Sequence, residues 1–153
     1  MRGYAQAYER FRVAAGTHDP EPAFFALFEA LDWAYALDDV IRLIWVPAGK
    51  PLNFEWRDLV QDGEIMSGVR FIRNVVQHQW ADAIRWDGER WVWRAATELP
   101  SGGDQRLRPV YEELMEGRLV EDTLLTVSNV VGFVGHLLDP RGTPMPTAAF
   151  KTS

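Results

Sequence analysis

The sequence predicts an all-α fold, an up-and-down bundle of four to five main helices with a short Trp-rich extended excursion after the third of them. Three observations carry this. Apolar residues recur at helical spacing in four long stretches, residues 1–16, 21–45, 62–85 and 120–138. Turn-forming clusters punctuate the chain around Thr17–Pro20, Pro47–Pro51 and Ser101–Asp104. Only residues 85–93 read as extended, around an Asp-Gly turn. With 153 residues the chain is the size of one domain. Residues 1–138 form the bundle, and 139–153, with three prolines, are expected to be a flexible tail.

The first helix, Met1 to Gly16, places Tyr4, Tyr8, Phe11 and Ala15 at helical spacing, with Gly16 as its C-cap. The second starts on Asp19 as N-cap, Pro20 in first position and Glu21 in the first turn, and runs to Trp45. It is apolar on most sides, as a central helix would be. Glu29, Asp32 and Asp39 fall within about 80° of one another on its helical wheel. This acidic stripe is either a solvent-facing edge or a partner for the arginines of the next long helix. The adjacent acids Asp38-Asp39 and Glu112-Glu113 should diverge and be solvated.

Residues 46–54 read as a loop, and Trp56 to Val60 as one helical turn. Asp62 to Arg85 then reads as a single amphipathic helix. Met66, Val69, Ile72, Val76, Trp80, Ala83 and Ile84, flanked by Phe71 and Val75, fall on one arc. Arg70, Arg73, Asn74, Gln77, His78 and Arg85 fall within roughly 140° on the other side. Four of the seven tryptophans, at 80, 86, 91 and 93, crowd around the excursion that follows. They suit a lid over the core or a subunit contact, or, interleaved with Arg85, Arg90 and Arg94, a platform for stacking bases. Glu98 to Arg108 is expected to be a flexible connection, and Pro109 to Glu116 a short helix broken by Gly117. The last helix, Val120 to Leu138, carries Leu124, Val127, Val131, Val134 and Leu138 on one stripe. Its Ser128, Gly132 and Gly135 would let another helix approach closely.

At 47% hydrophobic and 25% charged residues the chain reads as globular. The absence of cysteine excludes disulfides, thiolate zinc sites and cysteine nucleophiles. No signal peptide or membrane span is evident, so the expected location is the cytoplasm, away from membranes. A net charge of −6 argues against coating nucleic acid by bulk electrostatics. Residues 70–94 nevertheless carry five arginines against three acids, a balance of +2, which leaves −8 elsewhere.

His18, His78 and His136 match no zinc spacing, Ser101–Asp104 lacks the lysine of a phosphate loop, and there is no nucleophile elbow. No metal and no cofactor is therefore expected. What remains is Arg73-Asn74-Val75-Val76-Gln77-His78 on the polar face of the third long helix. Histidine exchanges protons near neutrality, and arginine is a planar, permanent cation suited to a phosphate. On one helix the two diverge by about 140°. Two copies about a two-fold axis would bring complementary groups to one phosphate.

In these six residues and in the bundle around them the chain resembles the HEPN superfamily. Its ribonuclease members carry an R-x4-H motif, commonly with Asn after the Arg. The resemblance implies a homodimeric, metal-independent endoribonuclease, of the toxin or phage-defence kind, with single-stranded RNA as substrate. Arg73 and His78 would be catalytic, Asn74 supporting, and Arg70, Gln77 and Arg85 in contact with substrate. It also implies a supporting acid on the preceding helix, for which Asp32 and then Glu29 are the candidates by wheel position. An antitoxin or other protein partner would accompany such a chain. Where one HEPN subfamily has a modifiable tyrosine two residues after the histidine, this chain has Trp80. The alternative implied is a bundle that no longer cleaves and serves as a protein-, RNA- or nucleotide-binding module.

Overall fold

The structure, a computed structural model, describes residues 2–45, 55–79 and 82–138. The expectations for the 46–54 loop, for Trp80 and for the 139–153 tail lie outside the described residues. The elements are α1 (Arg2–Ala15), α2 (Pro20–Trp45), the single turn α3 (Trp56–Leu59), α4 (Ile65–Gln79), β1 (Ile84–Trp86), β2 (Trp91–Trp93), a 3₁₀ turn (Ala96–Glu98), α5 (Arg108–Leu114) and α6 (Val120–Leu138). This is the mostly all-α bundle that the periodicity predicts. No helix among the described residues is long and apolar enough to cross a membrane.

Local signals set most boundaries. Asp19 caps α2, its carboxylate accepting the Glu21 amide at 3.1 Å, with Pro20 in the first position. The left-handed residue after α1 is not the expected Gly16 but His18, at φ 61°. The His18 ring lies against Trp86, with centroids 4.4 Å apart. After α5, Gly117 adopts φ 70°, a conformation that disfavours any side chain, and the chain turns into α6 there.

The core lies between the inner faces of α1, α2, α4 and α6. Tyr4, Phe11, Leu27, Leu31, Val69, Ile72, Val76, Leu124, Val127 and Val131 are buried, as their spacing requires. The Tyr4 hydroxyl donates to the Leu124 carbonyl at 2.6 Å and ties α1 to α6, and burial raises its pKa. Gly68 lets α5 and its flank lie close on α4. A Cβ there would come within 2.7 Å of Met115 Sδ and 3.5 Å of Tyr111 Cα. Gly132 of α6, expected to admit a neighbouring helix, instead faces open space.

β1 and β2 pair antiparallel, with Ile84 opposite Trp93 and Trp86 opposite Trp91. Trp93 is fully buried, donates to Thr123 at 2.9 Å and meets Tyr111 edge-on. Trp91 is buried as well and donates to the Ala15 carbonyl. These two close the core as a lid, which corrects the base-stacking alternative for them. The segment read as a flexible connection is pinned to α4. Gln79 donates to the Ser101 carbonyl at 3.1 Å, and a Cβ on Gly103 would touch Val75 and Phe71.

Two further expectations are corrected. The third long helix stops at Gln79 rather than Arg85, so Ala83, Ile84 and Arg85 lie beyond it. Ala83 and Ile84 are buried either way, and the burial pattern of so short a segment does not separate helix from strand. α2 does meet α1, α3, α4 and α6, as a central helix should, yet it is not enclosed. Phe25, Trp33, Val40, Leu43 and Ile44 are exposed on it, five of the seven large apolar side chains exposed among the described residues.

Candidate functional site: a guanidinium–carboxylate network between two helices

α4 buries its apolar arc in the core, and its polar face meets α2. The contact is made by ions. Arg73 Nε donates to Asp32 Oδ1 at 2.9 Å, and Arg73 Nη1 reaches Asn74 Oδ1 at 3.4 Å. One turn earlier, Arg70 Nη1 donates to Asp38 Oδ2 at 2.6 Å and to Asp39 Oδ1 at 2.8 Å. Asp38 is in turn gripped by Arg57 through both of its oxygens, at 2.9 and 2.5 Å, and accepts from Trp56 Nε1 at 3.1 Å. Arg57 Nη1 closes the set on Ser67 Oγ at 3.2 Å.

Tyr35 stands between the two arginines of α4. Its ring has Arg70 Cζ at 4.3 Å and Arg73 Cζ at 4.2 Å from the centroid, within cation–π range. Its hydroxyl accepts from Arg70 Nη2 at 3.0 Å. Tyr35 thus orients both guanidiniums, and the side chains of Arg70 and Arg73 are only 18% and 17% exposed. Burial works against the Arg70 charge, but hydrogen bonds to Asp39 and Asp38 outweigh it and raise the pKa. Tyr35→Phe keeps the ring and is expected to cost under about 1 kcal/mol, whereas Tyr35→Leu removes both stacked cations and should cost about 1–2 kcal/mol. Urea unfolding followed by circular dichroism measures the difference.

Three guanidiniums (Arg57, Arg70, Arg73) face three carboxylates (Asp32, Asp38, Asp39), so the cluster is electrically balanced. It holds arginines in fixed directions rather than presenting a surplus of positive charge. His78 lies in the last turn of α4 and is exposed, and Gln77 beside it is half-buried. The neighbouring loop places Asp104 against Arg106, whose side-chain hydrogen bond holds the Asp104 carboxyl down at about 2. By helix geometry Arg73 and His78 project about 140° apart. Among the described residues no group of three or more His, Asp or Glu is placed to hold a metal ion.

The acidic stripe of α2 therefore faces arginines rather than serving as a solvated edge. Asp32 is the partner of Arg73, while Glu29 lies outside its reach and pairs instead with Arg10 of α1. Arg70, Arg73, Asn74, Gln77 and His78 share the helix on which they were expected. Arg85 does not: it is exposed on β1, in register with Val92.

Asp38, Arg57 and Tyr35 are the members that the sequence reading missed. Asp38, expected to be solvated, is 1% exposed. Its signal was present: Leu27, Leu31, Ala34, Asp38 and Ile41 form one helical stripe, and an acid on a buried stripe needs cationic partners. No family model, no curated protein and no solved structure matches the chain.

Proposed function

We propose that the chain is a metal-independent endoribonuclease of the HEPN type, acting on single-stranded RNA as a homodimer with a composite Arg/His site. The observation that carries this reading is Arg73 held in a fixed direction by Asp32, Asn74 and Tyr35, with His78 exposed further along the same helix. Preorganisation of that kind lets an arginine stabilise a developing phosphorane without reorganising at the moment of reaction.

The reaction needs no metal. A histidine takes the proton of the ribose 2′-hydroxyl as its oxygen attacks the adjacent phosphorus. The bond to the 5′-oxygen then breaks, and a second, protonated histidine supplies that leaving group with its proton. Arg73 stabilises the charge on the non-bridging oxygens. The products are a 2′,3′-cyclic phosphate and a 5′-hydroxyl. Each chain brings one His78, so the second proton carrier comes from the other copy. Gln77 and Arg70 flank this path as substrate contacts, while Arg85 stands off the helix, exposed on β1. A toxin or defence role follows from the HEPN resemblance.

A second reading keeps the bundle and drops the chemistry: a module that binds protein, RNA or a nucleotide. It is favoured by the balance of three arginines against three aspartates, which leaves little free positive charge for a polyanion. Incubation of purified protein with single-stranded RNA in EDTA separates the two. The ribonuclease reading expects cyclic-phosphate ends and about a 100-fold slower reaction for Arg73→Lys, which keeps the charge but loses the Asp32 geometry. Absence of cleavage, or cleavage unchanged in Arg73→Lys, overturns it.

A further inference from the structure

The open face of α2 has a defined chemistry. Phe25, Trp33, Ala36, Val40, Leu43 and Ile44 fall within about 100° of the helix circumference. Their band runs from residue 25 to residue 44, about 28 Å along the axis. Phe25 is 58%, Trp33 42%, Val40 51%, Leu43 75% and Ile44 41% exposed. Together these side chains leave roughly 500 Å² of apolar surface per copy, about 1,000 Å² for two such faces, the least that a specific interface needs. Isolated exposed apolar residues need no explanation, but five large ones on one helix face, interrupted there by the Arg10-paired Glu29, do.

The edge of the band identifies its occupant. Asp32 and Asp39 run beside it, Glu29 lies within its arc, and each is already paired within the chain, with Arg73, Arg70 and Arg10. Arg42 is paired with Glu55. The charges there are neutralised within the chain, so none calls for an oppositely charged partner.

We infer that this band is the contact surface of a homodimer in which α2 packs antiparallel on α2 of a second copy. The two-fold axis crosses α2 near residues 34–35, the midpoint of the band. That register sets Phe25 against the far end of the partner's band, and Trp33 against the partner's Ala36. Large then meets small, over an apolar hollow of about 480 Å³ lined by Phe28, Glu29, Asp32, Trp33 and Ala36. Asp32 lies two to three residues from the axis, about 4 Å along the helix. Its partner Arg73 is therefore brought close to the equivalent arginine of the other copy. The inference deepens the composite-site reading by naming the surface, and rests on that reading only for the purpose of the dimer.

The chain has no cysteine, so single cysteines report the surface directly. Wild-type protein is expected to sediment as a dimer at micromolar concentration. The double variant Val40→Glu/Leu43→Glu, changed only at exposed positions, is expected to sediment as a monomer with an unchanged circular-dichroism spectrum. Ala36→Cys, next to the axis, should form a disulfide-linked dimer under mild oxidation, and Leu125→Cys, exposed on α6, should not. A wild-type monomer, a dimer that survives the double variant, or equal cross-linking of the two cysteines overturns the inference. No RNA is present in these measurements. Loss of cleavage with an intact α2 dimer therefore refutes the ribonuclease alone, and cleavage by a protein that fails these tests refutes the surface alone.

Discussion

Asp38→Ala is expected to destabilise the fold by about 3–5 kcal/mol, which for a chain of this size lowers the melting temperature by about 6–20 °C. The carboxylate is buried and accepts from Arg57, Arg70 and Trp56. Its removal leaves the Arg57 guanidinium, itself only 10% exposed, without its counter-charge. Arg70 retains Asp39, so the damage centres on α3 and the start of α4. The neighbouring change Asp39→Ala is the internal control. That carboxylate is 44% exposed and makes one ion pair, so its loss should cost no more than about 1 kcal/mol. Thermal and urea unfolding of the two variants, side by side, measure the contrast. Equal effects would mean that Asp38 is solvated and that the network has been misplaced.

The other large effect concerns chemistry. On the proposed ribonuclease reading, His78→Ala is expected to slow RNA cleavage by about 10²–10⁴-fold, the range for loss of a general acid–base group. Because the side chain is exposed, the unfolding free energy should stay within about 0.5 kcal/mol of the wild type. If each composite site takes one histidine from each chain, a dimer of one wild-type and one His78→Ala copy has no complete pair and should be as slow as the double mutant. A mixed dimer with half the wild-type rate would instead place a complete site in each chain.

How much of this was legible in the sequence follows from how local each signal was. The Asp32–Arg73 pair could be read because both residues lie on regular helices whose polar faces are set by a 3.6-residue period. The position of Asp38 could also have been read, since it interrupts the apolar series Leu27, Leu31, Ala34, Ile41. It was misjudged because Asp39 beside it suggested a solvated pair. Arg85 was misplaced for a different reason. Ala83 and Ile84 satisfy a helical stripe and a short strand equally well, and what decides is the Arg94 amide donating to the Ala83 carbonyl eleven residues earlier. Such a contact leaves no trace in local composition. The same holds for Glu29, whose partner Arg10 lies on another helix, and for the 101–104 loop, whose anchor is Gln79. The apolar richness of α2 was plain, but the one side left uncovered depends on where its neighbours stop.

The matched arginines and aspartates carry a consequence for how ionic strength should act. A protein that grips RNA with free cations displaces condensed counterions from the polyanion, and its affinity falls steeply as salt is added. Here the guanidiniums between α2 and α4 are already neutralised by Asp32, Asp38 and Asp39. An RNA strand seated over this seam would displace few counterions, and a plot of log K against log salt should have a shallow slope, of about −1 to −2. Recognition would then rest on the geometry of a phosphate at the two-fold axis rather than on attraction at a distance.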